Sequence, residues 1–225
     1  MNIAENILKH SLQNVYFFVG TACGGKTTMS RALAKKHGFI CYNDNWTEEP
    51  FKIWKTIIDE KYQPNAFKGQ NITDWEAYFS RTVEEFLADK GNNRGDKEYV
   101  EFSIIELIKL SQNNKVLADV WIEDFQLLTE ISDYSRIACL LAPGELIIRD
   151  YYQREDHIDF TNCINRLKDP EKKFATQNEL FRLGATEMAE KAKQYDFFSI
   201  MRSENSTVEG TMKLLEEHFG FRSKA

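Results

Sequence analysis

Residues 20–27 read Gly-Thr-Ala-Cys-Gly-Gly-Lys-Thr, the spacing G-x-x-x-x-G-K-[ST]. That pattern suits an anionic ligand. Glycines let a backbone wrap a phosphate with no Cβ in the way, and amides at a helix N-terminus offer donors and partial positive charge. Lys26 is long enough to reach β- and γ-phosphates, and a Thr27 hydroxyl suits Mg²⁺. The stretch Gly20, Thr21, Ala22, Cys23, Gly24, Gly25, Lys26, Thr27 and Thr28 is therefore the candidate phosphate cradle, provided that a strand precedes it and a helix follows. The competing reading is a glycine-rich strand–helix turn with a solvated lysine.

Both flanks read as required. Asn14–Gly20 is short, β-branched and aromatic, and ends on glycine. Lys26–His37 has helical spacing, and Gly38 marks a stop. Further strands are expected at Phe39–Tyr42, Val116–Val120, Arg136–Ala142 and Phe197–Met201. Between the second and third strands, residues 46–112 read mostly helical, with a capping box at Thr73-x-x-Glu76. Glu145–Arg154 reads helical and 156–173 polar. Thr176-x-x-Glu179 and Ser206-x-x-Glu209 read as the starts of two further helices. Strands alternating with helices predict an α/β fold with a mostly parallel sheet covered on both faces, whose ligands sit beyond the strands' carboxyl ends. That rule selects 20–28, 43–45, Asp119, 142–144 and 202–205 as the rim.

Two carboxylates fall on it. Asp119 ends an apolar strand beside the glycine loop, where a carboxylate can hold Mg²⁺ directly or through water. Otherwise it caps the next segment. Asp44 follows the second strand and could orient an attacking hydroxyl and accept its proton. Otherwise Asn43-Asp44-Asn45 is ordinary turn chemistry. Trp46, Trp54 and Trp75 line either an acceptor pocket or a helix core.

Composition narrows the class. The 225 residues are 42% hydrophobic and 28% charged, which excludes disordered and fibrous chains and suits a single domain. The net charge of −6 argues against a duplex nucleic-acid binder. The four cysteines, Cys23, Cys41, Cys139 and Cys163, form no C-x-x-C pair, so reduced thiols are expected. Neither a signal-peptide layout nor an apolar run of membrane length occurs, which predicts a cytoplasmic protein with no membrane partner.

The stretch Tyr16–Ala34, with the order of elements along the chain, resembles the P-loop small-molecule kinases of the adenylate/shikimate-kinase-like group, in a bacterial branch of it. The resemblance is sharp over about residues 14–45 and architectural beyond. It implies a P-loop NTPase fold, a three-layer α/β/α domain with a parallel five-stranded sheet of order 2-3-1-4-5. It further implies a helical acceptor-side insert over about 46–112, a lid-like segment over about 144–173, and ATP with Mg²⁺. Thr27 and Asp119 become the metal ligands, and Asp44 the residue beside the acceptor. Arginines of the lid neutralise the transferred phosphoryl group; Arg149, Arg154 and Arg166 are the candidates. Arg149 and Arg154, five apart, cannot share one face of a regular helix. A GTPase is excluded because Asn114-Lys115 continues as Val116-Leu117 rather than as a base-recognition motif.

The expected activity is transfer of the γ-phosphoryl group of ATP to a small acceptor, with a hydroxyl favoured. A nucleoside monophosphate acceptor would need arginines, and only Arg81 and Arg94 lie between Asp44 and Lys115. A nucleotide-binding regulatory protein without catalysis is the alternative from a different class.

Overall fold

The computed structural model describes residues 5–44, 56, 59, 61, 72–92 and 95–221. The readings placed on Trp46, Trp54 and Arg94 lie outside these residues.

A helix not foreseen from sequence, α1 (Glu5–Ser11), leads into β1 (Val15–Gly20), α2 (Lys26–His37) and β2 (Ile40–Asn43). The insert holds α3 (Trp75–Phe79), α4 (Val83–Asn92) and α5 (Gly95–Ser111). Then follow β3 (Val116–Asp119), α6 (Phe125–Ile131), β4 (Ile137–Leu141), α7 (Gly144–Tyr151), α8 (Ile158–Asn165), α9 (Pro170–Gln194), β5 (Ser199–Met201) and α10 (Val208–Phe219). The five strands are all parallel, in the order β2-β3-β1-β4-β5, as expected.

Strand alternation explains the layers. Phe17 and Phe18 are both fully buried but point to opposite faces. Phe17 packs with Val100 and Leu107 of α5, Phe125 and Leu128 of α6, and Met188 of α9. Phe18 packs with Met29 and Leu33 of α2 and with Leu215 and Phe219 of α10. Each phenyl removed from water contributes on the order of 2–3 kcal/mol. Covering both faces is what a parallel sheet requires, and it leaves the strand ends as the open edge of the sheet.

Three expected helix starts move. The cap of α3 is Asp74, whose carboxylate accepts the Ala77 amide, not Thr73. The cap of α10 is Thr207, accepting the Gly210 amide, not Ser206. Thr176 opens nothing: it lies inside α9, which starts six residues earlier at Pro170. Its hydroxyl donates to the Lys172 carbonyl, the usual use of a threonine within a helix.

The segment 144–173 is mostly helical and is tied to the insert. Lys173, 6% exposed, donates to Glu76 Oε1 at 2.6 Å and to the Lys168 carbonyl. The Lys168 amide donates to Glu76 Oε2 at 3.0 Å. The Phe79 and Phe160 rings meet edge-on at 5.5 Å. All four cysteines are free thiols. Among the described residues no helix is long and apolar enough to cross a membrane.

Candidate functional site

Strand register assembles the site. In the β2–β3 pair Asn43 faces Asp119, and in the β1–β3 pair Phe18 faces Asp119, so Asp119 sits at the carboxyl edge between its neighbours. The loop after β1 turns the chain so that the first turn of α2 stands over that edge. Thr27 Oγ1 donates to Asp119 Oδ2 at 2.5 Å. Asn43 Nδ2 donates to the same oxygen at 2.9 Å. A hydroxyl and a carboxylate, both oxygen donors, thus stand side by side, the donor chemistry that Mg²⁺ prefers. A hydrogen bond to a charged acceptor is worth ~1.5–3 kcal/mol, enough to hold both side chains in place. Among the described residues no group of three or more His, Cys, Asp or Glu could hold a metal unaided.

The loop itself is tight. A Cβ on Gly24 would stand 2.3 Å from the Leu140 carbonyl oxygen, so only glycine lets the loop lie this close to β4. Gly25 caps α2 at φ 97, a left-handed conformation, with no side chain bonded to the helix N-terminus. Cys23, at φ 55, also takes a left-handed conformation, which costs a non-glycine residue roughly 1–2 kcal/mol. The Thr21 hydroxyl accepts the Ala142 amide at 2.7 Å and pins the loop to the end of β4. Lys26 folds back over the loop, its amine 2.7 Å from the Thr21 carbonyl and 3.3 Å from that of Gly20. The fit to a phosphate chain is therefore that of a backbone cradle a Cβ would fill, an uncapped helix N-terminus and one long-stemmed cation.

Asp44 is brought to Asp119: its amide donates to the Asp119 carbonyl at 3.3 Å. Its carboxylate is buried, 8% exposed, and accepts the Trp121 amide at 3.1 Å and the Ser103 hydroxyl at 3.4 Å. Burial is the main cause that pushes its pKa up to about 7; the Trp121 and Ser103 bonds and the Lys26 charge oppose this, and Asp119 adds to it. The Tyr99 hydroxyl donates to the Asp44 carbonyl, so α5 of the insert is fastened to the end of β2. An acid with this pKa can hold or release a proton near neutrality.

The arginines divide. Helix α7 ends at Tyr151, so Arg154 lies beyond it and the expected helical angle to Arg149 has no bearing. Arg154 grips Asp156 through two bonds, at 2.9 and 2.6 Å, and its charge reaches Cys23 in the loop. Burial raises the Cys23 thiol pKa, and Arg154 offsets part of that rise. Arg149 is engaged on the surface by Asp150, at 2.6 Å, and by Glu204. Arg166 is exposed at the C-cap of α8. Trp75 is 40% exposed and stacks on Phe79.

Two residues of the site were not singled out from sequence. Asn43 read as a turn residue and is instead the last residue of β2, bonded to Asp119. Arg202 donates to the Cys23 carbonyl at 2.8 Å and pairs with Asp150 at 2.9 Å. Its place just past a strand at the carboxyl edge was the available signal. A shallow groove of about 410 Å³ along α9 is lined by the expected rim residues 142–144 with Ala185, Ala189 and Met201, and by none of the candidate catalytic, phosphate-binding or metal residues. Comparison with known proteins finds no family model that matches this chain and no curated protein similar to it.

Proposed function

We propose that this chain is a P-loop phosphotransferase that moves the γ-phosphoryl group of ATP, with Mg²⁺, to a hydroxyl of a small molecule. The observation that carries the reading is the Thr27–Asp119–Asn43 cluster, set at the mouth of an uncapped helix behind a loop with no room for a Cβ at Gly24. Thr27 and Asp119 would hold Mg²⁺, which when bound neutralises charge on the β- and γ-oxygens. Asn43 keeps the Asp119 carboxylate turned toward Thr27. The loop 20–28 presents amides to the phosphates, and Lys26 leaves the Gly20 and Thr21 carbonyls to meet their charge.

Arg154 and Arg202, both at Cys23, would face a phosphate chain held by the loop. Arg149, paired on the surface, is a weaker candidate than Arg154. Asp44 orients the acceptor hydroxyl and takes its proton, a role suited to a carboxyl with pKa about 7. A nucleoside monophosphate acceptor is disfavoured because Arg81 is already engaged with Asp89 and with the Tyr78 and Phe86 rings.

The test is ADP release coupled to a panel of alcohols, sugars, nucleosides and nucleotides. Acceptor-dependent release that vanishes in Lys26→Ala, with the circular dichroism unchanged, supports the reading. Wild-type turnover in that variant overturns it, and ATP binding without release for any acceptor favours a regulatory protein.

A further inference from the structure

Trp121 is 61% exposed, whereas Val120 and Ile122 on either side are 2% exposed. It lies two residues past Asp119, on the open edge where an acceptor would approach the loop. Its backbone is not loose: the amide is fixed to the buried Asp44 carboxylate at 3.1 Å, and Asp44 is itself joined to Ser103 and Tyr99 of α5. A large ring is therefore held out toward solvent on a rigid mount. Among the described residues it makes no ring contact or cation contact, and its indole N–H has no partner.

The surroundings add charge and polarity. Asp119, Glu123 and Asp124 flank Trp121, and no Lys or Arg occurs from Asp119 to Ser135. The Tyr42 hydroxyl, buried two residues before Asp44, lies against Ser103 of α5. Aromatic faces attract rings and cations, and a carboxylate-rich edge repels anions.

We propose that Trp121 is the platform for the acceptor, and that the acceptor is a ring-bearing alcohol carrying no negative charge. The inference rests on the phosphotransferase reading for the place of the acceptor. The ring stacks on the indole, its hydroxyl turns toward Asp44, and the acidic stretch from Asp119 to Ser135, without a Lys or Arg, disfavours a phosphate or carboxylate on the ring. Trp121 touches the bound acceptor and sets specificity; it takes no part in proton transfer.

The experiment uses full-length protein saturated with Mg²⁺ and a non-hydrolysable ATP analogue, titrated with adenosine, glucosamine and AMP. Binding is followed by calorimetry and by tryptophan emission. At least one of adenosine and glucosamine should saturate, with an emission change that disappears in Trp121→Phe while affinity is largely kept. Trp121→Ala should weaken that binding about 10-fold, the usual effect of losing one stacked ring, and leave affinity for the ATP analogue unchanged. AMP should bind no more tightly than adenosine. Failure of both uncharged or cationic probes, AMP at least 10-fold tighter than adenosine, or unaltered affinity in Trp121→Ala each overturns the proposal. These outcomes, with the analogue still bound, leave the phosphotransferase reading standing. Failure of the wild type to bind the analogue overturns both.

Discussion

Asp44→Asn separates the electrostatics of the site from its packing. The carboxyl pKa is moved from an ordinary 3.8 to about 7, chiefly by burial. Between those values the folded chain keeps a proton that the unfolded chain has released. The native state then binds more protons, and stability falls as pH rises. The contribution is fully present below the unfolded value and lost as pH passes about 7. At ~1.4 kcal/mol per pH unit the whole span is worth about 4 kcal/mol at most. Asparagine keeps an oxygen to accept the Trp121 amide and is neutral throughout. Urea unfolding at about pH 5 and about pH 8 should show the stability of the variant, relative to wild type, rising by about 2–3 kcal/mol across the interval. Parallel stability profiles for the two proteins would refute the reasoning. The same substitution should lower kcat for an alcohol acceptor by roughly 10²- to 10⁴-fold, with affinity for ATP preserved.

Substitutions in the loop and at the insert test the packing account. Gly24→Ala places a methyl 2.3 Å from the Leu140 carbonyl, whereas a Cβ added at Gly25 would meet nothing within 4 Å and the cost is the left-handed φ alone, about 1–2 kcal/mol. Gly24→Ala should therefore lower Tm well beyond Gly25→Ala in thermal scans, and equal losses would show that the loop is free to move off β4. Glu76→Ala leaves the buried Lys173 charge with the Lys168 carbonyl alone, whereas Lys173→Met leaves Glu76 to water and fills the site with an apolar chain. Glu76→Ala should show the larger loss of Tm, and the reverse order would contradict a buried clamp between insert and α9.

The parts of the molecule legible in sequence are those where local pattern and tertiary need agree. The run from Tyr16 to Gly38 carries its own punctuation: an apolar strand, a glycine loop, and a helix stopped by Gly38. Five short apolar runs of strand length suffice to expect the parallel sheet that forms. Two of the three displaced helix starts were less legible because two neighbouring residues competed for the cap. Asp74 beside Thr73 and Thr207 beside Ser206 differ by one residue in register, and packing of the helix decides between them. Helices α1 and α6, seven residues each, carry too little periodicity to stand out. In the site, Asp119 and Thr27 were legible because strand end and helix start fix their positions. Arg202 and Asn43 were not, since their roles depend on bonds to Cys23 and Asp119, 179 and 76 residues away in the chain.

Calorimetric titration of ATP, with and without Mg²⁺, into wild type and Lys26→Ala tests the central claim most directly. The Gly20–Thr28 loop, with Thr27 and Asp119 beneath it, predicts binding at one site in the wild type. That binding should tighten with Mg²⁺ and weaken at least about 10-fold in the folded Lys26→Ala variant, as expected when a charge-assisted contact to phosphate is lost. A wild type that binds no ATP, or a variant that binds it equally well, would contradict the assignment of this loop to a nucleotide.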